Sequence, residues 1–565
     1  MWIIEDYPSL IIRKEIKTMH VIQYTDELKS HILVFFEKVF KENNRVFCPN
    51  EKDSDILNIS QHYIKKGNFW CLVNEKKVIC GTIALRKLKD CHEIRRFFVL
   101  KKYQGCGNGT NLLNIAINYA LDNNYTLLRA ATLSSGYIAQ HLFIQNGFST
   151  TNRYNNSTAD IFFEFHITSK SAYEYKLNYL RTKFNSSLIL NPTENIPFIY
   201  GNIENTNFLS GLYVSERFKD VNDKVIFAGR NEYIEFFQYI KKKWTKKLDA
   251  YDVDLKTLSG LNAHLILFLC ILKPGDKVML LPEISGGHFA TEEILKNIGA
   301  KTYQMVPDYK NFCINSQETL EIIKAEKINY IFVDRSEGLY YEDFSWLKEC
   351  TPCYKIFDAS QYISSILCGE FENPFNMGFD MLITTLHKNY PGPQKGLIAV
   401  RSDDEVWKQY LAHAKTYISN THPKAIADSL LPLVYEDNFN KYCKNCSICV
   451  KKLEILLGNY GVPVIKRSWE NVPTHHLWIL CSNKYESYQY YLKLEMLGLL
   501  TNYRLLPYNL GYGLRIGLNA AILSGLTERH IPKLARIMSD AYHGDITPSL
   551  IKSCRKLIRK IKTIA

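Results

Sequence analysis

Thr384-Thr385-Leu386-His387-Lys388-Asn389-Tyr390-Pro391-Gly392-Pro393 follows an apolar run, Asp380-Met381-Leu382-Ile383, and reads as a strand ending in a turn rich in Pro and Gly. Lys388 therefore projects from a strand end, where an amine can be held rigidly. Thirty residues earlier a second apolar run ends in a carboxylate, Ile356-Phe357-Asp358-Ala359-Ser360-Gln361. A lysine and an acid at two strand ends match the needs of a pyridoxal phosphate (PLP) site. The lysine forms a Schiff base with the aldehyde, and the acid stands against the pyridinium nitrogen.

Three more segments suit the same site. Leu258-Ser259-Gly260-Leu261-Asn262-Ala263 precedes an apolar helical run and can cradle a phosphate at a helix N-terminus. Gly286-Gly287-His288 sets an imidazole after a Gly-rich turn, able to stack on a ring. Gly511-Tyr512-Gly513-Leu514-Arg515-Ile516-Gly517 buries an arginine in an apolar strand, where a carboxylate is its natural partner. Taken singly, these also read as a turn, a core histidine and a structural ion pair. Their occurrence together, in one order, reads as a site.

That order and wording resemble serine hydroxymethyltransferase, within the fold type I PLP enzymes, over about residues 186–545. Asn191-Pro192-Thr193-Glu194-Asn195, Gly229 to Tyr233 and Gly513 to Ala520 strengthen the match. The resemblance implies that Lys388 carries PLP, Asp358 pairs with the ring nitrogen and His288 stacks on the ring. Ser259 and Gly260 would bind the phosphate, with Gln361 and His387 completing the cofactor set. Arg515 would take the amino-acid carboxylate, Tyr213 would join the substrate site, and Glu194 would handle protons near the substrate side chain.

The departures cluster away from the cofactor. Where the family has Tyr-Tyr-Gly-Gly, the chain has Phe227-Ala228-Gly229-Arg230, so a tyrosine is replaced by Ala228. Leu261 replaces a second serine of the phosphate loop, Gln361 a histidine, and Gln394 the arginine of a Gly-Pro-Arg turn. Ser419 to Pro423 lacks the family's paired-glycine loop, and His475-His476-Leu477 replaces an Asn-His-Leu near the folate pocket. Substrate and folate positions thus drift while cofactor and carboxylate positions stay. The expectation is a PLP enzyme acting on a small α-amino acid and an aldehyde. A transaldolase that moves a glycyl unit from threonine or serine to an aldehyde fits best. Arg515 would choose the broken bond by fixing the carboxylate.

The amino-terminal third differs. His92-Glu93-Ile94-Arg95-Arg96-Phe97-Phe98-Val99-Leu100 reads as a strand. It runs into Tyr103-Gln104-Gly105-Cys106-Gly107-Asn108-Gly109-Thr110 and an apolar-periodic helix to about Leu121. Strand, Gly-rich turn and helix start together make a pyrophosphate cradle of backbone N–H groups. With Leu142-Phe143-Ile144-Gln145-Asn146-Gly147-Phe148 downstream, the segment resembles the GNAT N-acetyltransferase fold over about residues 19–167. The resemblance implies acetyl-CoA as cosubstrate, with its pyrophosphate on Gln104, Gly105, Gly107, Asn108, Gly109 and Thr110 and its pantetheine arm along Val99. Glu93 is the candidate base. Phe143 stands where a general-acid tyrosine often lies.

Composition agrees with two folded domains. A chain of 565 residues exceeds one core, and 46% hydrophobic with 13% aromatic residues excludes wholesale disorder. Met1 to Leu10 carries Glu5 and Asp6 and does not read as a signal peptide, and the longest apolar run, Leu265 to Leu272, is too short to cross a bilayer. Fifteen scattered cysteines suggest reduced thiols in the cytoplasm. Cys443, Cys446 and Cys449 have a spacing open to a metal but also to one helix face, and no metal site is assigned. The expected organisation is an extension over 1–18, the acetyltransferase domain over 19–167, a connecting segment over 168–185 and the PLP domain over 186–545. That PLP domain should comprise a large, doubly wound α/β part and a smaller carboxy-terminal α+β part, and should form a homodimer.

Residues 546–565 form a basic amphipathic helix with six Lys and Arg and no acid, close to half of the net charge of +13. Such a helix suits a membrane surface, a nucleic acid, an acidic protein or its own domain. Three functions stay open: a bifunctional enzyme that joins PLP chemistry to N-acetylation, a PLP enzyme with a non-catalytic acetyltransferase scaffold, and a nucleic-acid-associated modifying enzyme.

Overall fold

A computed structural model describes residues 19–74, 76–196, 206–214, 231–467 and 472–563. The segment 1–18 and Phe227 to Arg230 lie outside the described residues. The chain divides into two units, one running to Ser187 and including Met496–Gly498 and His543–Lys556, the other holding the rest.

The first unit is a seven-stranded sheet in the order His20–Gln23, Asn68–Val73, Ile79–Lys87, His92–Val99, Leu127–Thr132, Ile161–His166, Ser149–Thr151. Its one parallel pair, His92–Val99 with Leu127–Thr132, is joined only as far as Ile94 and Ala130. The strands part there because His92–Val99 bulges. Its register against Ile79–Lys87 slips between Thr82 and Ala84, and Arg96 takes φ +49°. Arg96 is held in that conformation by Nη1 to Asp53 at 2.8 Å, Nε to Asp55 at 2.9 Å and Thr82 Oγ1 donating to its carbonyl at 2.7 Å. The backbone of Phe97–Val99 is thereby left without a strand partner on the Leu127–Thr132 side.

Beyond that strand the helix Asn108–Asp122 begins at Gly107, whose φ of +83° favours glycine. Leu112, Leu113, Ala116, Ile117 and Ala120 share its buried face, the helical period read in the sequence. The segment expected as a connector is the helix Ser169–Asn185, opened by a Thr168–Ser171 capping box. It packs within this unit, with Tyr175 donating to Asn114 Oδ1 at 2.7 Å.

The second unit is a doubly wound α/β domain. Its sheet runs Lys301–Gln304, Lys277–Leu280, Tyr330–Val333, Tyr354–Asp358, Met381–Thr385, Gly396–Val400, Asp252–Asp254. The first five strands are parallel, Gly396–Val400 runs antiparallel to them, and Asp252–Asp254, antiparallel to Gly396–Val400, runs in the direction of the five. Met381–Thr385 and Gly396–Val400 are buried throughout, as expected of continuous apolar runs covered on both faces. The helix Gly260–Ile271 packs Leu267, Phe268 and Ile271 into a core with Trp407 and Tyr410. A smaller antiparallel sheet, His476–Leu480, Gly511–Gly517, Asn502–Leu506, follows near the carboxy end. Cys443, Cys446 and Cys449 share the buried face of the helix Glu436–Asn459.

Arg96 is the test of the bulge. Burial alone would raise the Asp55 carboxyl, but hydrogen bonds and charge from Arg96 outweigh it and hold the group below its ordinary value. Arg96→Met leaves that carboxylate uncompensated, so stability to urea at neutral pH should fall by about 3–5 kcal/mol. Asp55 favours the folded state only while ionised, so the gap should narrow as pH drops below about 4.

Candidate active site

The parallel strands of the second unit deliver the singled-out groups to one edge. Asp358 ends Tyr354–Asp358, and Lys388 follows the adjacent strand Met381–Thr385 by three residues. The carboxyl ends of parallel strands form the crevice in which such folds bind ligands. Asp358 is buried, faces His264 Nε2 at 2.9 Å and accepts from Ser360 N at 2.7 Å. Burial would raise its pKa, but the His264 bond, the Ser360 bond and Lys388 bring it down to about 2. Burial lowers the Lys388 amine, opposed by Asp358 and assisted by Arg515.

Around this pair the sequence candidates take definite places. Ser259 caps the helix Gly260–Ile271, its Oγ accepting from Asn262 N at 3.2 Å. A Cβ on Gly260 would come within 3.2 Å of Ser360 Oγ and 3.3 Å of Thr385 Cβ, so only glycine leaves the loop clear. His387 faces Thr385 Oγ1 at 2.6 Å. His288 follows Gly286, whose φ is +92°, and its ring meets the edge of His264 at 6.0 Å. The Glu194 backbone comes to Lys388 through Asn519, whose Nδ2 donates to Glu194 O at 2.6 Å and Lys388 O at 3.1 Å. The Glu194 side chain is exposed and accepts from Asn191 at 2.7 Å. Tyr213 is 40% exposed, on a segment pinned by Val214 N donating to Asn420 Oδ1 at 3.1 Å.

Arg515 is buried, with Nη1 3.3 Å from Ser336 O and 3.8 Å from Glu337 Oε1. Burial lowers its pKa to about 10, against the pull of Glu337. Glu337 also pairs with Arg504. Sequence reasoning passed over this carboxylate, along with Arg335, which donates to Ser285 O at 2.6 Å and Tyr508 at 2.7 Å and so braces the turn before His288. It also passed over Lys395, buried behind the phosphate-loop segment with Nζ donating to Lys256 O at 3.0 Å and Thr421 O at 2.8 Å. Burial lowers that amine to about 7. Among the described residues, Gln361 Oε1, Asp334 Oδ1, Glu337 Oε2 and Arg515 Nε are buried without a hydrogen-bond partner. Such orphaned groups fit a seat built for a further polar molecule.

In the first unit Glu93 is 0% exposed. It pairs with Arg86 at 2.8 Å and accepts from Asn155 at 2.6 Å and Tyr154 at 3.1 Å. Gln104 Nε2 donates to Val99 O at 2.8 Å and Asn108 Nδ2 to Tyr103 O at 2.8 Å, bracing the loop between strand and helix. Gly109 lies against Leu142, since a Cβ there would be 3.3 Å from its Cδ1. Phe143 is buried in the core beside Phe148 and Phe163.

Comparison with known proteins finds a match in each unit. The acetyltransferase (GNAT) family model matches residues 36–148, and the serine hydroxymethyltransferase model matches residues 211–538, more than half of the chain. A serine hydroxymethyltransferase from Pyrobaculum arsenaticum is 24% identical over 325 residues, covering 56% of this chain and 76% of that protein. An L-threonine:uridine-5'-aldehyde transaldolase from a Streptomyces species is 25% identical over 309 residues, covering 54% and 72%. The crystal structure of L-threonine transaldolase from Pseudomonas fluorescens shares the fold, with a TM-score of 0.64 at 20% identity over 69% of this chain and 91% of that one.

The buried imidazoles make a pH prediction. Burial lowers His288 and His387 to about 4 and His475 to about 3. The unfolded chain, with ordinary imidazoles, binds more protons below about pH 6.5. Their contribution is therefore complete above that pH and is lost as pH falls toward 4, by up to ~1.4 kcal/mol per pH unit for each imidazole. His475→Asn, the residue its resemblance suggests, should flatten urea stability against pH by about one proton. An unchanged slope would show that His475 does not titrate on unfolding.

Proposed function

The chain belongs to the serine hydroxymethyltransferase family, and from that premise we propose that it is a PLP-dependent transaldolase. It would cleave the Cα–Cβ bond of a small β-hydroxy amino acid and pass the glycyl unit to an aldehyde other than the folate-borne one-carbon group. The observation that carries the PLP reading is the Asp358–His264 pair beside a half-buried Lys388. A carboxylate kept ionised and an amine kept ready to lose its proton are what this cofactor requires of a protein.

Lys388 would hold the cofactor, Asp358 its ring nitrogen, His288 its ring face, and Ser259, Gly260 and His387 its phosphate side, with Gln361 beside the acid. When bound, PLP supplies a sink for the electron pair left by a broken Cα bond. The protein's part is orientation and proton traffic. Arg515 would bind the substrate carboxylate with its bidentate fork and so set which Cα bond stands across the ring. Glu337 shares that guanidinium and also pairs with Arg504. Lys388 and Glu194 would move protons at the substrate amine and side chain, and Tyr213 would line the substrate path. Folate use is disfavoured at His475, which is buried between Asn389 Nδ2 and Pro192 O at 3.4 Å each and turned into the fold.

We infer that the GNAT domain accepts acetyl-CoA. Pantetheine would lie along the unpaired backbone up to Val99, and the pyrophosphate on Gln104 to Thr110. Glu93 would act through Tyr154, because its carboxylate is enclosed by Arg86, Asn155 and Tyr154. The bifunctional reading has the PLP unit produce an amine that this domain acetylates. A scaffold role is the second reading, favoured by that enclosure. A homodimer formed through the PLP unit, in the cytoplasm, completes the proposal. The domains would fall at 19–167 and 186–545.

PLP-loaded enzyme should release acetaldehyde from threonine without tetrahydrofolate. Added aldehydes should then appear as new β-hydroxy amino acids by mass spectrometry, and Lys388→Ala should abolish both. Arg515→Lys keeps charge but loses the fork and should weaken amino-acid binding roughly tenfold. Serine cleavage with saturable dependence on folate would return the chain to hydroxymethyltransferase chemistry. Thiol release from acetyl-CoA when product amines are supplied separates the bifunctional reading from the scaffold.

A further inference from the structure

The loop Gly105–Gly107 has a neighbour from the far end of the chain. Of the helix Pro548–Lys562, the part up to Lys556 belongs to the first unit and lies against this loop. Arg555 Nη1 donates to Gly105 O at 2.9 Å and Nη2 to Cys106 O at 2.8 Å. The same Nη2 would stand 2.5 Å from a Cβ on Gly107, so the guanidinium rests directly on the loop. Lys552 reaches it too, with Cε 3.4 Å from a Cβ on Gly105, and Cys106 Sγ faces Pro548 O at 3.8 Å. Both cations act on the Cys106 thiol, where they oppose the rise caused by burial. None of these helix residues falls within the segment matched to the acetyltransferase family, residues 36–148.

Two carbonyl bonds fix the guanidinium to the loop backbone, so the loop and a full positive charge are delivered as one piece. Backbone N–H groups and a helix start offer only partial charges, whereas a multiply ionised phosphate is bound far more firmly where a guanidinium or ammonium is also present.

We propose that Arg555 and Lys552 form part of an acyl-CoA site, supplying the cations for the phosphate-bearing end of the thioester donor. This rests on the acetyl-CoA reading of the amino-terminal domain and adds to it a binding element contributed from the carboxy-terminal helix. The basic tail is then a ligand-binding element, with no membrane or nucleic acid needed to account for its charge at these two positions.

Calorimetric titration of the full-length protein tests this with acetyl-CoA and with S-acetylpantetheine, which lacks every phosphate. Arg555→Met should raise the Kd for acetyl-CoA by roughly tenfold or more, the equivalent of one charge-assisted bond. Lys552→Met should act in the same direction, and Arg555→Lys should recover part of the loss. Binding of S-acetylpantetheine should be unchanged in all three, which also shows the variants to be folded. Lys560→Met, on the same helix, should leave both affinities alone. Acetyl-CoA binding that is unchanged or tighter in Arg555→Met overturns the proposal, the tighter case meaning that the helix covers the loop. Wild-type protein that binds S-acetylpantetheine but gains nothing from the phosphates overturns it while sparing the acyltransferase reading. Wild-type protein that binds neither donor overturns both.

Discussion

Burying a carboxylate is costly unless its charge is answered, and the second unit is arranged around the answer given to Asp358. His264 and the Ser360 N–H hold it ionised at the end of its strand, and Lys388 lies within reach of its field. The parallel sheet brings these strand ends side by side, and the helix Gly260–Ile271 carries both His264 and, at its start, the capped loop of Ser259. The same helix therefore braces the acid and shapes the neighbouring loop, so a shift of either would disturb the other. Arg335, Glu342 and Tyr508 extend the buried charge pattern to the turn that presents His288.

Contiguous signals were legible in the sequence. Lys388 and Asp358 announce themselves because each follows an apolar run and precedes a turn, and Gly107 because strand, glycine and helix period follow in order. Long-range partners were not. His264 sits inside an apolar helix and reads as core, although its position four residues after Gly260 places it one turn into that helix. Glu337, Arg335 and Lys395 are polar residues in buried settings whose partners lie far along the chain, 173 residues away for Arg335 and Tyr508. Arg555 and Gly105 are 450 apart. The bulge at Arg96 likewise depends on Asp53 and Asp55, which no local period connects to it.

The first unit shows how one irregularity prepares a surface. The slip at Arg96 separates two strands that begin as parallel neighbours, and the freed backbone leads to the loop at Gln104. Phe143 belongs to the core of that unit, packed against Phe148 and Phe163. Glu93 is enclosed, paired with Arg86 and accepting hydrogen bonds from Tyr154 and Asn155.

Lys388 and Lys395 both have amines depressed by burial near the strand ends, and only one can carry the cofactor. Lys395 spends its donors on two carbonyls behind the phosphate-loop segment, whereas Lys388 stands in the field of Asp358. Borohydride reduction of PLP-loaded protein, followed by digestion and mass mapping, distinguishes them. The expected result is the reduced pyridoxyl mass on the peptide containing Lys388 and on no other. The mass on Lys395, or on no lysine of the chain, would contradict the assignment of this crevice as a PLP site.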